Sequence, residues 1–125
     1  MVKVLLVDDE EEFVTALAER LEFRGFAPKV AFDGEQALRL LDEWDAEVML
    51  LDLRMPGLGG CEVLRRAKLA HPHIQVIMLS GHGSEKDERI SRERGAFEYL
   101  RKPVDIGDLV AILKKAHQAV EQPPA

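Results

Sequence analysis

Short, nearly unbroken apolar runs occur at several points along the chain, and stretches with helical spacing of apolar residues separate them. The run at residues 2–7, VKVLLV, is rich in β-branched residues, is too short for an ordinary helix and ends in carboxylates. It therefore predicts a buried strand. Over residues 11–24, apolar side chains recur every three or four positions, and Gly25 follows them. This spacing predicts an amphipathic helix that ends before the glycine.

The same strand and helix pair repeats along the rest of the chain. Further strands are predicted at residues 28–32, 47–51, 74–79 and 97–100, and further helices at 34–42, 61–69, 84–94 and 105–120. Strands that alternate with helices in this way pair in parallel, with helices on both faces of the sheet. The predicted class is α/β, a flavodoxin-like, doubly wound sheet of five parallel strands in the order 2-1-3-4-5 with five helices. Pro28 has no amide hydrogen, which suits the edge position of the second strand in this order.

The fourth predicted helix differs from the others in its polarity. Its sequence, SEKDERISRERG, offers Ile90 as almost its only apolar anchor, so little of it can be buried against the sheet. Ser84 and Asp87 have the spacing of a capping box, which partly offsets that weakness. We expect this helix to be the loosest of the five.

Length and composition indicate one domain. The 125 residues are 46% hydrophobic, which is enough for a single core. We expect the domain to occupy residues 1–120 and a tail or the start of a linker to occupy residues 121–125, where two prolines stop the helix. A net charge of −6 opposes binding to nucleic acid or to an anionic membrane. Cys61 is the only cysteine, and neither a bilayer-spanning run nor a secretory signal is recognisable, which together predict a cytoplasmic location.

The residues that follow the predicted strands carry the candidate chemistry. In an open parallel sheet, ligands bind where the carboxyl ends of the strands meet. The side chains expected at this edge are three carboxylates, a hydroxyl and an amine: Asp8, Asp9, Asp52, Ser80 and Lys102. Adjacent carboxylates repel one another unless a cation joins them, and Mg²⁺ is commonly held by one or two carboxylates together with a phosphate oxygen. The pattern predicts a site for Mg²⁺ and a phosphoryl group.

Asp52 is the candidate nucleophile of this site. A carboxylate can attack phosphorus and form an acyl phosphate, while Lys102 offsets the incoming charge and Ser80 donates its hydroxyl. Taken singly, each residue also has an ordinary interpretation, as a helix-start or strand-end carboxylate, a turn serine or a surface lysine. The functional interpretation depends on their joint placement.

Four segments, VLLVDDE, LLDLRMPG, VIMLSGHG and YLRKP, occur in this order at the predicted strand ends. With them the chain resembles the receiver domain of bacterial two-component response regulators, of the chemotaxis-receiver type, over residues 2–120. The resemblance implies that Asp52 is the phosphorylation site. It also implies that Asp8, Asp9 and Asp52, with the main-chain carbonyl of Arg54, bind Mg²⁺.

The resemblance assigns further roles around the phosphoryl group. It implies that Ser80 and Lys102 bind this group. Tyr99 is implied to be an aromatic switch residue, which we expect to turn from solvent to the interior on phosphorylation. The two positions implied to tune hydrolysis are those of Arg54 and His82.

As a receiver, the chain would take its phosphoryl group from a histidine kinase or a phosphotransfer protein. It would then signal through the face made by the fourth helix, the last strand and the last helix. The expected partners are that donor, a downstream protein or effector domain, and a second copy in a phosphorylation-dependent homodimer, but neither nucleic acid nor membrane. It is predicted not to be an enzyme, although it takes part in its own phosphotransfer and autodephosphorylation. The chain is expected to be a stand-alone receiver or the amino-terminal part of a longer regulator.

Three other classes share parts of this pattern. An aspartate-nucleophile phosphohydrolase uses the same first step, but it typically has a second acid two residues after the nucleophile, where this chain has Arg54. A degenerate receiver that serves as a constitutive interaction module would lack some of Asp52, Ser80 and Lys102, all of which are present. A nucleotide-binding α/β domain needs a Walker A or G-x-G-x-x-G loop, and neither follows the first strand.

Overall fold

Five strands alternate with five helices in the computed structural model, which describes residues 1–81 and 83–121. The strands are β1 (Lys3–Val7), β2 (Ala27–Ala31), β3 (Val48–Asp52), β4 (Gln75–Ser80) and β5 (Glu98–Arg101). The helices are α1 (Glu11–Phe23), α2 (Gly34–Glu43), α3 (Gly60–Ala70), α4 (Glu85–Glu93) and α5 (Ile106–Glu121). Every predicted element is present, with its ends shifted by no more than one residue. Of the tail predicted at residues 121–125, Glu121 is the last residue of α5, and residues 122–125 lie outside the described residues. The candidate residue His82 also lies outside them.

The strands form one parallel sheet in the order β2-β1-β3-β4-β5, which confirms the predicted topology. β2 lies at an edge, where Pro28 pairs with Val4 and the missing amide hydrogen of proline is tolerated. At the other end of the register, Asp52 pairs with Leu79 on β4. The carboxyl ends of β1, β3 and β4 are thus level with one another.

Alternate side chains of the central strands are buried on opposite faces of the sheet. One face carries a cluster that includes Leu51 and Met78 with residues of α2 and α3. The other face carries a cluster that includes Leu50 and Ile77 with residues of α1 and α5. Because helices cover both faces, the central strands are apolar almost without interruption.

Helix α4 has little apolar surface to bury, and the capping box predicted from its sequence is present. Ser91 is its buried residue, whereas Ile90 is half-buried. The capping box is present: Asp87 N donates to Ser84 Oγ at 3.1 Å, and Ser84 N donates to Asp87 Oδ2 at 3.0 Å. Among the described helices, none is long and apolar enough to cross a membrane.

Candidate functional site

Three aspartates converge at the carboxyl ends of β1 and β3. Ligand oxygens of Asp8, Asp9 and Asp52 all lie within 4.8 Å of one another. Asp8 and Asp52 are buried, with exposed fractions of 3% and 6%, whereas Asp9 is exposed. The strands are neighbours with Val7 opposite Leu51, so the residues that end them necessarily meet. The structure therefore brings together the three carboxylates predicted from separate segments.

The environment of Asp52 disfavours its charged form. Burial first, and then the charge of Asp8, raises the pKa of Asp52 from its ordinary value of 3.8 to about 6. Lys102 acts in the opposite direction, while Asp9 and Glu10 raise the pKa further. A divalent cation among these oxygens would relieve the repulsion, and an all-oxygen carboxylate set suits a hard ion such as Mg²⁺. The residues present thus fit the metal that the sequence predicts.

Lys102 lies among the carboxylates at this edge. Its Nζ donates to Asp8 Oδ2 at 2.8 Å and to Glu10 Oε1 at 3.1 Å, and it lies 3.8 Å from Asp52 Oδ1. Burial alone would lower the pKa of Lys102, but the hydrogen bonds to Asp8 and Glu10 and the charge of Asp52 outweigh burial and raise it. Lys102 is therefore an ammonium ion at neutral pH, close enough to Asp52 to offset charge on a phosphoryl group there.

Two residues beside Lys102 were missed by the sequence analysis. Glu10 accepts a hydrogen bond from its Nζ, and the ring centroid of Phe13 lies 4.6 Å from the same atom. The available signal was the third acid in the run Asp8, Asp9, Glu10. Acidic residues are common at helix starts. The third acid therefore did not by itself indicate a contact with Lys102, which is distant in the sequence.

Ser80 ends β4 next to the candidate nucleophile. It is 1% exposed, and its carbonyl accepts a hydrogen bond from Lys102 N at 2.9 Å. Because Leu79 pairs with Asp52, Ser80 lies one residue beyond the nucleophile on the adjacent strand. Main-chain pairing therefore holds Ser80 and Lys102 together at the edge where Asp52 lies.

The side chain of Arg54 reaches towards α4. Its Nη2 lies 3.3 Å from Asp87 Oδ2, the same oxygen that accepts from Ser84 N in the capping box. The Arg54 side chain is 62% exposed, so the ion pair is expected to be weak. It nevertheless links the loop that follows Asp52 to the first turn of α4. Metal binding by the Arg54 carbonyl stays a prediction, as does the tuning role of His82, which lies outside the described residues.

The position of Tyr99 differs from the expectation that its side chain faces solvent before phosphorylation. Tyr99 is 5% exposed and belongs to the same buried cluster as Leu53 and Met55. Its hydroxyl lies directly against Gly83, since a Cβ added there would be 1.4 Å from the hydroxyl oxygen. The missing side chain at Gly83 makes room for the ring. Burial of the ring raises the pKa of the Tyr99 hydroxyl.

Replacing Gly83 with alanine is expected to turn Tyr99 out of this position, because the ring can rotate more easily than the backbone can shift. Tyr99 is the only tyrosine, so an ultraviolet pH titration reports on it alone. We expect a lower tyrosine pKa in Gly83→Ala than in wild type. Gly81→Ala is the control, because a Cβ there meets Lys102 side-chain carbons at an ordinary 3.8 Å. Identical curves for Gly83→Ala and wild type would contradict the inward placement.

Comparisons with known proteins agree with this fold and site. Residues 4–114 match the family model for the response regulator receiver domain. The chain is 44% identical over 126 residues to the transcriptional regulatory protein CpxR of Escherichia coli (strain K12), covering 98% of this chain and 53% of that protein. It is 37% identical over 115 residues to a putative response regulator, NtrX-like, of Rickettsia felis, covering 90% of this chain and 24% of that protein. The chain thus spans about half or less of the length of these curated relatives.

Solved structures of receiver domains superpose closely on the chain. One from Methanospirillum hungatei JF-1, described as CheY-like, gives a TM-score of 0.94 at 27% identity, and one from Clostridium thermocellum gives 0.93 at 34% identity; each comparison covers 98% of both chains. The receiver domain of NtrX from Brucella abortus gives 0.86 at 30% identity over 92% of this chain and 98% of that one. From the family match over residues 4–114 and the parallel sheet with its acidic edge, we conclude that the chain belongs to the response regulator receiver domain family of two-component systems.

Proposed function

We propose that this chain is a phosphorylation-operated switch in which Asp52 accepts a phosphoryl group from a histidine kinase or a phosphotransfer protein. Phosphorylation and magnesium binding are general features of the receiver family. The observation that carries the proposal for this chain is the convergence of Asp8, Asp9 and Asp52 within 4.8 Å, with Lys102 Nζ 3.8 Å from Asp52. This arrangement offers a nucleophilic carboxylate, oxygen ligands for a metal and a cation for the incoming phosphate.

The proposed transfer is a displacement at phosphorus. A carboxylate oxygen of Asp52 forms a bond to phosphorus while the bond from phosphorus to the donor breaks, and its electron pair leaves with the donor. Lys102 offsets negative charge on the phosphoryl oxygens, and Ser80 donates its hydroxyl to one of them. Asp8, Asp9 and Asp52, with the Arg54 carbonyl, would hold Mg²⁺, which when bound supplies further positive charge at the phosphoryl oxygens.

The proposed output face consists of α4, β5 and α5, which lie beside the phosphorylation site. Two contacts support it: Arg54 bonds to Asp87 in the cap of α4, and Tyr99 of β5 packs against the loop before α4 through Gly83. A change at Asp52 can therefore reach α4 through both neighbouring loops. Tyr99 is already buried, so we propose that phosphorylation stabilises this inward position. Ser80 and Tyr99 are still proposed to act as the switch residues. Arg54 and His82 are proposed to tune hydrolysis of the phosphoryl group.

The proposed partners are a phosphodonor protein on one side and a downstream protein or effector domain on the other. The relative CpxR is named as a transcriptional regulatory protein, and this chain matches about half of it, which supports an effector domain as the output. A homodimer through the output face is a second outcome that phosphorylation would favour. The chain would act in the cytoplasm and contribute to its own phosphotransfer and autodephosphorylation without turning over an external substrate.

Intact-protein mass spectrometry after incubation with acetyl phosphate and Mg²⁺ tests this function. We expect one phosphoryl group on the wild type and none on Asp52→Asn or in the presence of EDTA, because the nucleophile or the metal is then missing. Asp45→Asn is the matched control, since Asp45 is exposed and lies after α2, and it should be labelled like the wild type. Labelling of Asp52→Asn at another residue would remove Asp52 from its role. Rapid turnover of acetyl phosphate without labelled protein would favour the phosphohydrolase.

A further inference from the structure

We propose that Glu10 is a positioning residue for Lys102, whose ammonium group it holds off Asp52 and for which it competes with the phosphoryl group. The inference rests on the proposed phosphorylation of Asp52. It starts from unequal distances: Lys102 Nζ lies 2.8 Å from Asp8 Oδ2 and 3.1 Å from Glu10 Oε1, but 3.8 Å from Asp52 Oδ1. In this structure Lys102 is therefore hydrogen-bonded to the loop between β1 and α1 and not to the nucleophile.

Hydrogen bonds hold both the amide and the carbonyl of Glu10. Its amide donates to Asp8 Oδ1 at 2.9 Å, and its carbonyl accepts from Val14 N at 3.0 Å in the first turn of α1. Glu10 occupies the N-cap position of α1, yet its side chain makes no capping hydrogen bond. An N-cap side chain usually turns back to the helix amides. That of Glu10 instead reaches Lys102.

Phe13, in the first turn of α1, is a further neighbour of the Lys102 ammonium group. The distance from Lys102 Nζ to the centroid of its ring is 4.6 Å, which is within the range of a favourable cation–π contact. Asp8, Glu10 and Phe13, which lie in the β1–α1 loop and the first turn of α1, thus all attract the ammonium group. To contact a phosphoryl group on Asp52, Lys102 has to give up part of this arrangement.

Glu10 differs from Asp8 in its relation to the proposed metal site. Asp8 is one of the three proposed metal ligands, so its charge is shared with the metal site, whereas Glu10 lies outside that set. Glu10 is the carboxylate that would continue to hold Lys102 while the metal site is filled. Its side chain is 64% exposed, and water weakens an exposed ion pair. We therefore expect Glu10 to alter the equilibrium several-fold and not by orders of magnitude.

Equilibrium binding of beryllofluoride, a non-covalent substitute for the phosphoryl group, tests the competition in saturating Mg²⁺. Glu10→Gln keeps the size of the side chain and removes its charge, and we expect beryllofluoride to bind about threefold to fivefold more tightly than to wild type, or about 0.7 to 1 kcal/mol. Glu11→Gln is the matched control. It removes the same charge from the next residue, which is exposed and is not among the hydrogen-bond or ion-pair partners of Lys102 within the described part of the chain. Its affinity should stay within twofold of wild type.

A second comparison uses the Lys102→Met background. There Glu10→Gln should have no more effect than Glu11→Gln, because the group for which Glu10 competes is gone. A merely structural role would weaken binding or leave it unchanged in Glu10→Gln. If Glu10→Gln and Glu11→Gln raise the affinity for beryllofluoride equally, the change in net charge explains the effect. That result would overturn the positioning role of Glu10 but would leave the proposed function intact. Failure of the wild type to bind beryllofluoride at all would instead contradict the proposed function, and the inference with it.

Discussion

Replacing Gly60 with alanine is expected to lower the free energy of unfolding by about 3 kcal/mol and to displace the phosphorylation site. A Cβ on Gly60 would lie 2.3 Å from the carbonyl oxygen of Asp52 and 2.8 Å from Leu53 Cα. Both are backbone atoms, which cannot rotate away as a side chain can. The amide of Gly60 also donates to Leu53 O at 3.0 Å, so α3 starts tightly against the end of β3. Relief of the overlap has to move the main chain that carries Asp52.

Gly59→Ala provides the control for this prediction. Gly59 directly precedes Gly60, the first residue of α3, has φ of −73°, and a Cβ there meets nothing within 4 Å. Gly59 is also the N-cap of α3, where alanine is less favourable than glycine, so its substitution should cost no more than about 1 kcal/mol. Urea unfolding measures both variants, and phosphoryl labelling of the folded fraction should be slower in Gly60→Ala alone. Equal stabilities would show that the loop packs less closely on β3 than the structure indicates.

Asp52→Asn is expected to stabilise the fold at pH 8 by about 2 kcal/mol when divalent cations are removed. The pKa of Asp52 rises from 3.8 to about 6 on folding, chiefly through burial and then through the charge of Asp8. Ionising such a group opposes folding by up to about 3 kcal/mol. The pKa of about 6 already includes the attraction to Lys102, 3.8 Å away, so the penalty is a net value that a neutral side chain avoids. The amide gains somewhat less than this limit, because its NH2 group places a second donor beside the ammonium group. Added Mg²⁺ should reduce the gain, because it stabilises the wild type through the same carboxylates.

The pH dependence of this gain follows from the raised pKa. The folded protein binds the Asp52 proton more tightly than the unfolded chain does, so the penalty is complete above the folded pKa of about 6. As the pH falls from there towards 3.8, the folded state takes up the proton first and the penalty decreases. Urea unfolding of both proteins in EDTA should therefore show the largest difference at pH 8 and little at pH 4. A difference that grows as the pH falls would show instead that the ionised carboxylate stabilises the fold.

The architecture could be predicted from the sequence because it depends on local patterns. Central strands covered on both faces are continuously apolar, and helices at the surface show helical spacing, so all ten elements were recognisable from local sequence patterns. Pro28 also indicated the edge strand, since a central strand cannot accept a residue without an amide hydrogen. The capping box of Ser84 and Asp87 was recognisable for the same reason, because its partners are three residues apart.

The position of the site was predictable for a related reason. In a parallel sheet the strand ends meet at one edge, so Asp8, Asp9 and Asp52 could be placed together once the strands were known. Lys102 and Ser80 followed from the ends of β5 and β4. These inferences need only the identity of the residue after each strand and the strand order.

The sequence by itself determined the class of fold, the strand order and the group of residues at the acidic edge. Only the tertiary structure decided their contacts. Lys102 donates a hydrogen bond to Glu10 but lies 3.8 Å from Asp52, Arg54 pairs with Asp87, and the Tyr99 ring is buried. These contacts depend on small differences in distance between side chains that are far apart in the sequence. They also depend on local space, such as that left by Gly83. Hydrophobic periodicity reports which face of an element is buried, but it carries no information on which rotamer fills that space.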